Sequence, residues 1–234
     1  MYKRVLLKLS GEALGSKESV FDAEVLDNLA KQIKKILKEK ISVAIVVGGG
    51  NLVRGRTFEK LGFDRVASDH MGMLGTTMNS MVLAGALEKN GIKATVMSAT
   101  KVDGVEDIDI TKARELLNKY QVVLFGGGVG EPCFSTDTAS ALRASEIKAD
   151  VILMAKSGVD GVYDSDPDEN PKAKRFNVLS FDDILKLNLK VIDSTAAGMC
   201  RDNKIEGFVF NMLDKDNIYK AAIGKAKGTT IKAK

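Results

Sequence analysis

Lys8 sits near the end of an apolar run, VLLKLS, and Gly11 follows directly on that run. A lysine at the end of a buried strand is costly unless something negative meets it, and phosphate is the obvious anion. Two more apolar runs lead into glycines: SVAIVV into GGGN (48–51) and QVVLF into GGGVG (126–130). Glycine lets backbone N–H groups approach an anion closely, and a helix starting just beyond adds positive potential. One such turn is explained equally well by backbone geometry. Three at equivalent strand ends point to phosphate.

The usual phosphate signatures are absent. No GxxxxGK[ST] exists, and Glu131 and Val53 stand where GxGxxG would need its third glycine. The sole histidine, His70, excludes HExxH zinc chemistry and a Ser-His-Asp triad. The charged residues near the glycine turns are Lys8, Arg54, Asp69, Asp137, Asp166 and Asp193. Phosphoryl transfer asks for this inventory: cations and donors to gather phosphates, carboxylates to orient the cations or meet Mg²⁺. Each residue also has a plainer reading as a turn former or solvated charge. Asp166, before Pro167, suits the start of a turn.

The elements that must position these residues alternate along the chain. Runs at 4–9, 42–47, 93–97, 121–125, 150–155 and 208–212 read as buried strands. Helix patterns lie between them at 23–37, 73–90, 111–120 (capped by Thr111) and 135–147. The polar segment 156–174 reads as a loop, and a strand–helix unit with a lysine-rich tail ends the sequence. Such alternation implies a mostly parallel sheet covered on both faces, one α/β domain with two lobes. With 35 basic and 31 acidic residues the net charge is only +4, so no nucleic-acid partner is expected. Cys133 and Cys200 lie far apart and outside any CxxC, against a disulfide framework or zinc site. No apolar stretch approaches membrane-spanning length, so a cytoplasmic protein without a membrane partner is expected.

KLSGEAL, VVGGGNLVRG, ASDHMGMLGTTMN, GVGEPCFSTDTA, VDGVYDSDP and FVFNM follow one another in an order that resembles the bacterial UMP kinases (uridylate kinases) of the amino acid kinase superfamily. The resemblance covers essentially the whole chain. DHMGMLGTTMN and RGRTFEKLGFDR are its specific parts, because the wider superfamily shares only the glycine loops and the lysine. It implies a three-layer α/β sandwich over residues 1–234, the N-terminal part mainly on the UMP side and at subunit contacts. The part from about residue 150 would lie mainly on the ATP side. The implied reaction is ATP + UMP giving ADP + UDP, with Mg²⁺ carried by the nucleotide and no metal site on the protein. The implied assembly is a homohexamer inhibited by UTP.

The same resemblance implies roles for single residues. Lys8, Leu9, Ser10 and Gly11 would lie at the ATP phosphates, making the ligand the partner of Lys8. Gly49, Gly50 and Arg54 would contact phosphate where donor and acceptor meet. Asp69 would hold the UMP ribose, and Val129, Gly130, Glu131, Pro132, Cys133, Phe134, Ser135 and Thr136 would line the uracil and ribose pocket. Asp137 would orient Lys8, and Asp193 would be a further catalytic carboxylate near the ATP phosphates. Ser157, Tyr163 and Asp166 match the donor loop, with Tyr163 beside adenine. His70 and the Met-rich stretch 71–81 read as structural or interfacial, and Cys133 as a small wall residue.

Three departures stand out. GSKESVFDAEV replaces a segment that often reads GFGID, and Lys156-Ser157-Gly158 replaces a more frequent Ala-Thr-Lys. Ala94 stands where GTP-activated relatives tend to carry arginine, so weak or absent GTP activation is expected. The competing readings are another kinase of the superfamily and a non-catalytic nucleotide-binding protein on the same fold. Lys8 together with Asp137 argues against the second.

Overall fold

Successive side chains of a strand point to opposite faces, and in Arg4–Leu9 (β1) both faces are core. Val5, Leu7 and Leu9 enter one apolar cluster, while Leu6 enters another on the opposite side. A strand buried on both faces needs helices on both faces, and the computed structural model has that arrangement. It describes residues 2–167 and 169–233, apart from the side chains of 56 and 59 and the burial of 55.

After β1 come a 3₁₀ turn at Gly11–Leu14, then α1 (Ala23–Lys38), β2 (Ser42–Val47), α2 (Gly55–Lys60) and α3 (Arg65–Lys89). Next follow β3 (Ala94–Ser98), β4 (Glu106–Asp107), α4 (Ile110–Asn118), β5 (Val122–Gly126), α5 (Thr136–Ile147) and β6 (Val151–Lys156). The chain continues through β7 (Val178–Ser180), α6 (Phe181–Lys186), α7 (Ser194–Asp202), β8 (Glu206–Asn211), α8 (Asn217–Ala222) and β9 (Thr229–Lys232). The described strands form one nine-stranded sheet in the order β4-β3-β5-β2-β1-β6-β8-β9-β7. Every pairing is parallel except β8 with β9. Helices α1, α3 and α8 cover one face, and α4, α5, α6 and α7 the other. This is a three-layer sandwich in a single domain.

Helix ends follow local chemistry. Asp22 caps α1, accepting from the backbone N–H of Glu24 at 2.9 Å and of Val25 at 3.2 Å. Ser135 caps α5 through the N–H groups of Asp137 (3.0 Å) and Thr138 (3.1 Å), and such caps typically contribute about 1 kcal/mol.

Four expectations change. Asp109, not Thr111, caps α4, accepting from the Lys112 N–H at 2.9 Å; its carboxylate reaches the orphan donors that a threonine inside the first turn cannot. The third helix starts at Arg65 rather than 73, because Asp64 caps it through the Ala67 N–H and its first turns lie on the surface, where apolar periodicity fades. The lysine-rich tail includes β9, whose Ile231 is wholly buried against β8. Residues 178–202 hold β7, α6 and α7, short elements with too few turns to show a period.

Candidate active site

The carboxyl ends of β1, β2, β5 and β6 converge on one edge, where ligands bind in open α/β sheets. Lys8 is on the same face of β1 as Leu6, the face covered by α5. Asp137 lies in the first turn of α5, and Lys8 Nζ meets its Oδ1 at 2.7 Å. Their side chains are 14% and 20% exposed, partly dried but reachable from the edge. Part of the negative charge that Lys8 requires is therefore the protein's own.

The turns that follow these strands are held by tight contacts. A Cβ on Gly11 would fall 2.1 Å from Asn51 Oδ1, so the turns after β1 and β2 touch only because Gly11 has no side chain. Asn79, wholly buried on α3, donates to Gly48 O (2.7 Å) and Asn51 Oδ1 (2.7 Å), tying the turn after β2 to the long helix. Gly127 has φ +74° and its Cβ would lie 2.6 Å from Thr100 N. That glycine serves backbone packing, so the plainer reading applies to it. Leu9 buries its whole side chain, leaving only backbone for a ligand.

A cavity of about 410 Å³ opens on one side of the Lys8–Asp137 pair. It brings together Gly49, Gly50, Arg54, Asp69, Glu131, Phe134, Ser135 and Thr136 from the anticipated set. Val129, Gly130, Pro132 and Cys133 belong to the same loop but do not line the cavity. Arg54, 65% exposed, is held by Glu12 Oε1 at 2.6 Å and by the Gly50 carbonyl at 3.1 Å. Asp69 on α3 accepts from the Cys133 N–H at 2.7 Å and from Arg65 Nε at 2.9 Å, fastening the pocket loop to the helix. Cys133 takes φ +70° to present that N–H. Arg65, Ser68, Met73, Thr76 and Gly128 also line the wall and were missed. Only a helix extending back to residue 65 would have pointed to the first two.

A second cavity, about 620 Å³, lies beyond β6 and is lined by Tyr163 and Asp166. Ser157 is adjacent and exposed but does not line it. The Tyr163 hydroxyl donates to Asp160 Oδ1 at 2.6 Å, and Lys227 Nζ lies 2.7 Å from the other oxygen. Burial alone would raise the Asp160 carboxyl, yet Lys227 and the Tyr163 hydroxyl hold it below the ordinary range. Lys156 and the 187–191 segment also line this cavity and were missed. The relocated lysine in KSG was the available signal.

Asp193 caps α7 through the Ala196 N–H at 2.9 Å and accepts the hydroxyls of Ser135 and Thr138. Both its oxygens are engaged, and the engagement locks the start of α5 that carries Asp137. Cys200, wholly buried on α7, has its thiol pushed up to about 12 by burial, with Asp137 and Asp193 adding to the effect. His70 is exposed on α3. Among the described residues no three His, Cys, Asp or Glu side chains gather into a metal-binding group, and no helix is long and apolar enough to cross a membrane.

A parallel sandwich with a strand-end lysine, a paired helix-start aspartate and two flanking cavities is the build of a phosphoryl-handling kinase. The model of the amino acid kinase family matches residues 3–211, and the chain belongs to that family. Among its relatives, the uridylate kinase of Mycoplasmopsis pulmonis is 46% identical over 99% of this chain and 97% of the relative. Among solved structures, the UMP kinase of Bacillus anthracis superposes with a TM-score of 0.95 at 38% identity, covering 99% of this chain and 96% of the other. That of Ureaplasma parvum gives 0.93 at 38% identity, covering 99% of each chain.

Proposed function

We propose that the protein is a UMP kinase, moving the γ-phosphoryl of ATP to a UMP phosphate oxygen to give ADP and UDP. The observation that carries the reading is the Lys8–Asp137 pair at a sheet edge flanked by two cavities. Phosphoryl transfer is a matter of positioning and charge. In this reading UMP occupies the cavity beside Asp69 and Arg54, in the N-terminal part, and ATP the cavity beside Tyr163 and Asp166. Lys8 then faces the bridging oxygens as charge builds on them, while Asp137 fixes its direction. A pure nucleotide-binding protein has no use for a cation held at the seam between two sites.

Magnesium enters with ATP. It is commonly held by substrate phosphates, waters and one or two carboxylates rather than by an all-protein cage, and the seam between the cavities offers one such carboxylate, Asp137, partly exposed beside Lys8. Bound there, the ion would spread charge off the transferring group. The Arg54 region is where a triphosphate of uridine would run its phosphates, so UTP inhibits by competing with UMP. We further read the protein as cytoplasmic and as a homohexamer; the exposed apolar stripe on α3 that includes Leu74, Met78 and Met81 supports self-association.

The test is ADP formation from ATP with UMP, CMP, dUMP or no acceptor, side by side. Turnover with UMP at least about 10⁴-fold above CMP is expected if buried polar groups go unpaired with the wrong base. Equal turnover of UMP and CMP would overturn the acceptor assignment, and no turnover with any acceptor the enzyme assignment.

A further inference from the structure

Lys156 is the last residue of β6 and shares its face with Ile152 and Met154, both in the α5 core. Met154 pairs with Lys8 of β1 in register. Lys156 is therefore the diagonal neighbour of Lys8 on the same face, about 8 Å along the sheet by strand geometry. It is half-buried, and it lines the larger cavity together with Tyr163 and Asp166. The ammonium has three donors; the hydrogen bond it makes here is a long one, 3.3 Å, to the Val191 carbonyl. Burial and the facing Lys8 make its proton easier to lose, and Asp137 opposes them. Lys8 pairs with Asp137, and Lys156 stands on the same sheet face as that pair in a partly dry corner. Such an arrangement is costly until an anion arrives.

The geometry points to Lys156 as a phosphate-binding residue of the donor site, donating to oxygens of the β- and γ-phosphates of ATP from the side opposite Lys8. This rests on the assignment of the larger cavity to ATP. Sequence supplies an independent hint, since the lysine of the donor loop has moved to this position. The ADP left after transfer carries less charge at this spot, so Lys156 should hold ATP more firmly than ADP. The alternative is structural: its bond to Val191 O merely ties β6 to the segment before α7.

Two substitutions separate these roles. Lys156→Gln keeps a donor for Val191 O and loses the charge, whereas Lys156→Met loses both. Binding of ATP, ADP and AMP would be measured by calorimetry, with kcat and the KM for UMP alongside thermal melting. The expected result is a loss of ATP affinity on the order of 10- to 100-fold in both variants. AMP affinity and the KM for UMP should stay within about twofold, and Lys156→Arg should recover much of the ATP binding. A Gln variant with wild-type ATP affinity and kcat would overturn the assignment. So would equal losses for ATP and AMP. Wild-type protein that turns over UMP while the Gln variant is unaffected would sink this inference alone; wild-type protein that binds no ATP would sink the donor-site reading itself.

Discussion

Lys8 Nζ and Asp137 Oδ1 lie 2.7 Å apart, joining the end of a central strand to the first turn of a helix 129 residues later. The contact is possible because β1 is flanked by β2 and β6 while α5 packs across that face. Replacing the cation should act on the chemical step more than on binding, because the charge it meets grows in the transition state. Lys8→Met should lower kcat on the order of 10²–10³-fold, with the dissociation constant of ATP changed far less. Stopped-time ADP assays and ATP titration check it; unchanged kcat with a weakened ATP complex would make Lys8 a binding residue only.

Arg54 is held by Glu12, and an arriving phosphate must compete with that carboxylate. The pair is solvent-exposed, and such pairs contribute about 0–1 kcal/mol. Glu12→Gln should therefore lower the KM for UMP by up to about fivefold, with kcat kept within twofold. A raised KM would show that Glu12 instead prepares Arg54 for the substrate.

The two cysteines should behave oppositely. Cys200 is sealed, with its thiol held at about 12, whereas Cys133 is exposed beside the smaller cavity. At pH 8 a disulfide reagent such as Ellman's should modify one thiol in the native protein and two in denaturant, and UMP should slow the native reaction. Equal native rates for both thiols would contradict the burial of α7. Unfolding returns the Cys200 thiol to near 8.5, so its contribution runs one way. The folded state binds the proton more tightly, and stability should fall as pH rises from about 8.5 toward 12. Cys200→Ala should flatten that slope.

Leu74, Met78 and Met81 are about half exposed along one stripe of α3. Exposed apolar clusters of this kind mark contacts. Light scattering should report an assembly several times the chain mass of 25.2 kDa. Met78→Glu should shrink it without altering the far-ultraviolet dichroism. A monomer in the unaltered protein at micromolar concentration would remove the proposed hexamer.

Much of this molecule is written in local pattern. The strands β1 and β2 are legible because burial on both faces forces continuous apolar runs, and the helix α1 because burial on one face forces a period of 3.6. Lys8 and the glycine turns are legible because a lysine or glycine at a strand's end breaks that pattern, whereas the role of Asp137 came from the resemblance to the family. Tertiary structure alone decided the rest. It showed that Asp193 spends both oxygens on α5 and α7, that Gly127 is required by Thr100 and Ala99, and that Lys156 faces the same corner as Lys8. Sequence spacing sets the face a residue takes on its own element. Which elements share that face depends on strand order, and strand order is settled by how two apolar cores close around one sheet.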